Sequence, residues 1–197
     1  MHSCFGRILN DAQLGNNRMN EHLVISDILL SSDHTKNQLS AIVDGEKIFI
    51  SVPKDFDLYP VAECFIGIAL LEAMISNRIL VVQEAKISVE LFKNLPEIQA
   101  IYSCWNPELS RVEIQAETAA EKSPYKNVGS FFSAGVDSTY TLLKHTDDIT
   151  HLVFCSDFDD PDDDESWGIS VQKHTDFAQS IGKKLIPLVT NAREWTQ

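Results

Sequence analysis

Small and polar residues between Ser133 and Ser138 have the types and the spacing of a loop that binds an anion. Ser133 and Ser138 carry hydroxyl groups, and Gly135 lies between them in a break that follows an apolar, strand-like run. A helical pattern starts directly after the break. A strand, a turn of small residues and a helix together leave several backbone N–H groups without intrahelical partners, all directed at one place. The sequence therefore predicts that these hydroxyl and N–H groups bind a phosphate.

Asp137 adds a second chemical requirement to this loop. A carboxylate beside a phosphate is repelled unless a cation lies between them, so Asp137 indicates that Mg²⁺ binds together with a nucleotide. A purely structural interpretation is also open, because Asp137 and Ser138 are residue types that favour the first turn of any helix. Spacing alone does not choose between these two interpretations.

The same stretch resembles a known family motif. The Ser-Gly-Gly-x-Asp-Ser loop of the PP-loop ATP pyrophosphatases, the N-type group of the adenine nucleotide alpha hydrolase-like superfamily, is similar at five of six positions to the run Ser133-Ala134-Gly135-Val136-Asp137-Ser138. The resemblance implies that these six residues hold the β- and γ-phosphates of ATP together with Mg²⁺. It also implies a ligase or amidotransferase-like activity, in which ATP adenylates a substrate and pyrophosphate is released.

The resemblance further implies roles for individual residues. Asp137 would be the catalytic residue and would orient Mg²⁺, whereas Phe154, Cys155 and Ser156 would lie beside the adenine ring. Ala134 departs from the motif, which has glycine at this position. If the position requires a positive φ, alanine is disfavoured there by about 1 kcal/mol.

An acidic segment follows the next predicted strand. Residues 156–165 include seven carboxylates, and Asp157 or Asp159 is a candidate for holding Mg²⁺ beside Asp137. A structural interpretation is open here as well. Pro161 and the acids after it favour a helix N-terminus, and the remaining carboxylates can belong to a solvated loop.

The composition limits the class of protein. With 197 residues, of which 44% are hydrophobic, the chain can bury one good core or two small ones. The net charge of −13 argues against broad binding to nucleic acid or to an anionic membrane. The first residues lack the apolar core of a signal peptide, and two glutamates interrupt the longest apolar run, residues 61–75. We therefore expect a cytoplasmic protein.

Four parts follow one another along the chain. We expect a poorly ordered start at residues 1–21, a small α+β domain of unknown role at 22–117, a linker at 118–127, and a nucleotide-binding domain at 128–197. The α+β domain is predicted to contain strands at 23–30, 39–43, 46–52, 79–82 and 112–116, and helices at 60–77, 88–92 and 96–105. Asp44-Gly45 is a strong signal for a two-residue hairpin turn between the second and third strands.

The last part alternates strands with helices. Strands are predicted at 128–132, 150–155 and 184–189. The second helix has an apolar face formed by Trp167, Val171, His174, Phe177, Ala178 and Ile181. This order predicts an α/β fold, a partial doubly wound parallel sheet of HUP-like type with about three strands. Ligands bind such sheets at the carboxyl ends of the strands, and this rule points to the acidic segment after Cys155.

The family that the loop resembles has about five parallel strands in this domain, so the resemblance implies that the present domain is truncated. An alternative function follows, that of a non-catalytic nucleotide-binding or interaction module. We expect the edge of the third strand to be unprotected, which favours a homo-oligomer or a partner chain that completes the sheet. Asn191 and Arg193, just beyond that strand, are candidate contacts for phosphate or substrate.

Overall fold

A computed structural model describes residues 21–120, 127–155 and 164–195 of the chain. The predicted poorly ordered start lies outside the described residues except for Glu21, and so does most of the predicted linker. Ser156, Asp157 and Asp159 of the acidic segment lie outside them too.

Within the described residues the chain forms eight strands and five helices. The strands are β1 (His22–Ser32), β2 (Lys36–Val43), β3 (Glu46–Pro53), β4 (Ile79–Ser88), β5 (Ile114–Ala119), β6 (Gly129–Phe131), β7 (His151–Cys155) and β8 (Lys184–Thr190). The helices are α1 (Glu63–Ser76), α2 (Val89–Trp105), α3 (Val136–Lys144), α4 (Asp164–Ser180) and the single turn α5 (Ala192–Trp195). No helix in these ranges is long and apolar enough to span a membrane.

All eight strands belong to one mixed sheet with the order β5-β4-β1-β2-β3-β8-β7-β6. The predicted α/β character is confirmed, since β6, β7 and β8 are parallel and are connected through α3 and α4. The predicted free edge of the third strand is wrong, because β8 pairs with β3 in antiparallel orientation. Strands from both predicted domains therefore share one sheet, and among the described residues β6 lies at its edge.

The β2–β3 hairpin forms at the predicted Asp-Gly turn. Asp44 and Gly45 have φ values of 51° and 89°, the positive values that such a two-residue turn requires. Arg78, at the start of β4, donates to both carboxylate oxygens of Asp44 at 2.7 and 2.5 Å. It also donates to the carbonyl of His22 at 2.5 Å, and its pKa is raised by the hydrogen bond to Asp44. This contact fixes the turn against the starts of β1 and β4.

A single helix, α2, replaces the two helices predicted between residues 88 and 105. Ser88 caps it as predicted, with its hydroxyl accepting from the N–H of Leu91 at 3.1 Å, but Pro96 lies inside the helix. Proline removes one intrahelical hydrogen bond. The helix continues because Leu95 and Gln99 are buried on either side, and the Gln99 side chain binds the backbone of Val112.

The helices of the two halves lie on opposite faces of the sheet. Ile48 of β3 belongs to the core under α1 and α2. Ile50 lies on the same face of β3 and pairs with Thr190 of β8, so Thr190 lies on this face as well. Leu185 of β8 belongs to a smaller core under α3 and α4. Alternate residues of a strand point to opposite faces, so Leu185 and Thr190 are on different faces. The two cores are thus separated by the sheet itself.

Asp33 organises the turn between β1 and β2. Its Oδ1 atom accepts hydrogen bonds from the hydroxyl and N–H of Thr35, both at 2.7 Å, and from the N–H of Lys36 at 2.9 Å. Hydrogen bonds to the ionised form favour ionisation. The hydroxyl of Thr35, followed by the two N–H groups, therefore holds the pKa of Asp33 well below its usual value.

The stability of this turn should depend on pH. A folded-state pKa below the unfolded value means that the carboxylate stabilises the fold above about pH 4, and that this contribution is lost as the pH falls through the folded pKa. Urea unfolding of the native chain and of Asp33→Asn should differ at pH 7, and the difference should shrink as the pH is lowered below about 4. A difference that stays constant over this range would contradict the role given to Asp33.

Candidate functional site

The Ser133–Ser138 loop lies at the carboxyl end of β6, directly before α3. Phe132 anchors its start, since its N–H donates to the carbonyl of Val153 at 2.9 Å and its buried ring stacks on Phe177 with centroids 5.1 Å apart. The chain then turns away from the sheet and enters α3 with Gly135 as the N-cap residue. The predicted order of strand, small-residue turn and helix is present.

Hydrogen bonds of Ser138 hold the loop closed. The Ser138 hydroxyl donates to the carbonyl of Gly135 at 3.1 Å and accepts from the N–H of Ser133 at 3.4 Å. The hydroxyl groups of the two serines are also 3.4 Å apart. The loop therefore brings both predicted phosphate-binding hydroxyl groups to one point.

Backbone donors are free at the same place. The first hydrogen bond of α3 runs from the N–H of Thr139 to the carbonyl of Gly135. The N–H groups of Val136, Asp137 and Ser138 have no acceptor within the described parts of the chain. Three N–H groups at the positive end of a helix dipole, beside two hydroxyl groups, form a surface suited to an anion.

Ala134 has φ = 58°, in the left-handed region. The position therefore has the positive φ at which alanine is disfavoured, and the alanine methyl group costs free energy that glycine would not. Gly135 has φ = −75° and ψ = 171°, a conformation open to any residue, and a Cβ there would be in ordinary contact with the Ser133 hydroxyl oxygen at 3.4 Å. The backbone angle at position 134 thus favours glycine, whereas neither the backbone angle nor a Cβ contact requires glycine at position 135.

Ala134→Gly should stabilise the protein. Glycine removes a steric cost of about 1–2 kcal/mol, of which roughly half is offset by the greater freedom of glycine in the unfolded chain. We expect the free energy of unfolding to rise by up to about 1 kcal/mol, measured by urea denaturation. Ala100→Gly in the interior of α2 is the control and should lower the free energy by about 1 kcal/mol, because the helix gains nothing from glycine. A decrease for both variants would show that Ala134 is not strained.

Asp137 is exposed in the first turn of α3, beside the free N–H groups. The described residues contain no group of three or more His, Cys, Asp or Glu side chains that could hold a metal ion. Asp157, the second predicted metal ligand, lies outside these residues. A predicted magnesium site formed by Asp137 and Asp157 therefore stays a prediction.

The carboxyl end of β7 lies next to the loop, because Phe131 of β6 is in register with Val153. Phe154 and Cys155, two of the predicted adenine contacts, are thereby brought to the same end of the sheet, and Ser156 is outside the described residues. The Phe154 ring is already packed, however. It stacks on Trp167 with centroids 5.1 Å apart and on His174 with centroids 3.9 Å apart. A contact from Phe154 to a base would therefore use its backbone.

His174 is a polar group at this site that the sequence indicated only as part of an apolar helix face. Its Nδ1 is 2.8 Å from the carbonyl of Ser170, so Nδ1 carries a proton and donates it. Its Nε2 is buried and has no hydrogen-bond partner within the described segments. Trp167 and His174 are seven residues apart, and this spacing was the signal that both side chains would lie on the same face of the helix, toward the sheet.

Asn191 does not point to the loop. Its Oδ1 accepts from the N–H of Phe49 at 2.9 Å, and its Nδ2 donates to the carbonyl of Lys47 at 2.9 Å. The side chain thus extends the pairing of β3 with β8 past Thr190, whose hydroxyl donates to the carbonyl of Phe49 at 2.7 Å. The predicted contact of Asn191 with phosphate or substrate is wrong, since both ends of its amide are used.

The outer face of α3 is apolar. Val136, Tyr140 and Leu143, spaced to lie on one helical face, are 86%, 64% and 73% exposed, whereas Leu142 points into the smaller core. Phe131 on the edge strand β6 is 70% exposed. Apolar side chains this exposed, beside the strand that ends the sheet within the described residues, are typical of a contact surface.

No family model, no curated protein and no solved structure gives a significant match to this chain. Its function is therefore inferred from its own residues and their geometry.

Proposed function

We propose that the chain binds ATP with Mg²⁺ at the Ser133–Ser138 loop, and that β6, β7 and β8 form the parallel strands of a HUP-like nucleotide-binding domain. The observation that carries this proposal is the convergence of two hydroxyl groups and three free N–H groups at the carboxyl end of β6. The left-handed conformation of Ala134 supports it, since the glycine of the similar family motif would adopt such an angle without strain.

The residues that are present fit a nucleotide bound with a metal ion. The N–H groups of Val136, Asp137 and Ser138 would face the β- and γ-phosphates, and the Ser133 hydroxyl would donate to the same oxygens. The Ser138 hydroxyl would donate to them once its proton turns away from the Gly135 carbonyl. Mg²⁺ in such sites is held by one or two carboxylates together with phosphate oxygens and waters, so Asp137, with Asp157 as the predicted second ligand, would supply the protein donors. Bound there, Mg²⁺ would neutralise charge on the phosphates during adenylation of a substrate.

Isothermal titration with ATP, with and without Mg²⁺, tests the binding step. Gly135→Val and Asp137→Asn should each weaken binding at least about tenfold. The first adds two methyl groups beyond a Cβ that already contacts the Ser133 hydroxyl, and the second removes the carboxylate proposed to bind Mg²⁺. Asp147→Asn, an exposed carboxylate beyond the far end of α3, is the charge-matched control and should bind as the native chain does. Binding that needs no Mg²⁺, or that survives both loop variants, would place the nucleotide elsewhere.

Catalysis requires a separate measurement, since binding alone does not show adenylation. ATP-dependent release of pyrophosphate in the presence of candidate carboxylate substrates, lost in Asp137→Asn, would support the ligase or amidotransferase-like activity. ATP binding without any pyrophosphate release would support the alternative, a non-catalytic nucleotide-binding module.

The exposed face of α3 favours one further candidate, an interaction module. Val136, Tyr140 and Leu143 together with the free edge of β6 are suited to a second copy of the chain or to a partner chain that adds a strand. Sedimentation velocity should then show self-association that Tyr140→Glu abolishes. If the native chain sediments as a monomer at all concentrations, the occupant of this face would be a different partner chain. Such a partner should bind to immobilised native protein and not to immobilised Tyr140→Glu.

A further inference from the structure

A cavity of about 330 Å³ opens where β3 and β8 separate, on the face of the sheet that α4 covers. The register pairs Ser51 with Val189, and no described pair follows toward Pro53 and Pro187. Proline has no N–H group, so the two prolines reduce the number of backbone donors left unpaired at the opening. The volume lies within the range of small-molecule sites, and no residue of the 133–138 loop lines the cavity.

Two polar side chains of the cavity have no partners within the described part of the chain. Ser51 is 5% exposed, and its hydroxyl makes no hydrogen bond there. Lys36, which lies diagonally across the β2–β3 pair from Ser51, forms no ion pair with any described carboxylate. The Ser51 oxygen is not fully enclosed, so its hydroxyl can reach a ligand in the cavity, and a cation at the mouth of an otherwise apolar cavity attracts an anion. Both groups therefore indicate a ligand that brings acceptor oxygens.

The remaining walls favour a flat, apolar group. Trp167, Val171 and Pro187 line the cavity, and the ring of Trp167 is held in place by its stacking on Phe154. Gly168 lies in α4 beside Trp167, and a Cβ there would meet no atom within 4 Å. Space that a larger residue would fill is thus left open next to an aromatic face, against which a planar ring can stack.

We propose that this cavity is a binding site for a small aromatic carboxylate. The ring lies between Trp167 and Pro187, the carboxylate pairs with the Lys36 ammonium group, and one acceptor oxygen receives the Ser51 hydroxyl proton. The site is formed jointly by β3 and by the β8–α4 region, and it does not depend on nucleotide binding at the 133–138 loop.

Titration of the ¹⁵N-labelled chain with 2-naphthoate, followed by NMR, tests this proposal. The indole N–H signal of Trp167 and the amide signals of Gly168 and Val189 should shift and saturate with ligand. The neutral isostere 2-naphthamide should bind about three- to fivefold more weakly, because it cannot pair with the Lys36 charge. Absence of saturable shifts at these residues up to millimolar naphthoate would overturn the proposal.

Two pairs of variants distinguish loss of binding at this site from a general effect of a substitution on charge or folding. Lys36→Met should abolish the preference for naphthoate over naphthamide, whereas Lys47→Met, an exposed lysine on the same face of β3, should keep it. Gly168→Leu should abolish binding of both ligands without lowering the melting temperature, since leucine is a better helix former than glycine. Gly67→Leu in α1, an equally open helical glycine, should bind normally. Native-like binding by Lys36→Met and Gly168→Leu would show that the ligand binds elsewhere.

Discussion

Phe65→Ala should lower the free energy of unfolding by about 3–5 kcal/mol. Phe65 is the largest of the fully buried side chains, with 0% of its surface exposed, and it extends from α1 into the larger core. Truncation removes a ring of apolar surface from the core and leaves a cavity that the sheet strands cannot fill by collapse. The loss is a large part of the total stability of an ordinary domain, so the variant should unfold at much lower urea concentration.

Ile75→Ala on the same helix is the matched control for this prediction. Ile75 is 59% exposed, so its truncation should change the free energy of unfolding by less than about 1 kcal/mol. Circular dichroism during urea titration measures both variants. Equal effects of the two substitutions would mean that α1 does not pack on the sheet through Phe65.

Asn191→Ala carries the second-largest expected effect, a loss of about 1–3 kcal/mol. The substitution removes two hydrogen bonds to β3 and leaves the half-buried N–H of Phe49 without an acceptor. Because the described backbone pairing of β3 with β8 covers two residue pairs, the Asn191 amide is a substantial part of the contact between the two halves. Loss of this contact should also separate the unfolding of the two cores.

Unfolding followed with two probes measures this separation. The native chain should show one transition by far-UV circular dichroism and by tryptophan fluorescence, whereas Asn191→Ala should show transitions that no longer coincide. Asn94→Ala, at an exposed position of α2, is the control and should leave the transitions coincident. A native-like result for Asn191→Ala would show that β3 and β8 are held together by other contacts.

Local signals in the sequence predicted the β2–β3 turn and the strand, turn and helix around Gly135. Asp44-Gly45 specifies its own turn geometry, and the strand–turn–helix pattern around Gly135 is contained within a few residues. Such features depend on neighbours in the chain, so they can be read without knowledge of the fold. The shared helical face of Trp167 and His174 was predicted from their spacing for the same reason, whereas their stacking on Phe154 was not predicted.

Features that depend on distant residues were not predicted. Nothing in the pattern of β8 specifies that Val189 pairs with Ser51, and this pairing changes the role of Asn191 and creates the cavity beside Lys36. The orientation of α3 was not specified either. Its apolar residues fall on two sides, and the side that packs depends on where Leu142 meets the sheet.

The contact between β3 and β8 also has a consequence for the nascent chain. The N–H of Phe49 finds its acceptor on a residue 142 positions later, so β3 leaves the ribosome about 7–28 seconds before that partner is made. An edge strand exposed for this time can pair with other chains. Glu46, Lys47 and Pro53 place two charges and a proline along β3, which are features that discourage such pairing. These three residues would thus protect β3 during synthesis.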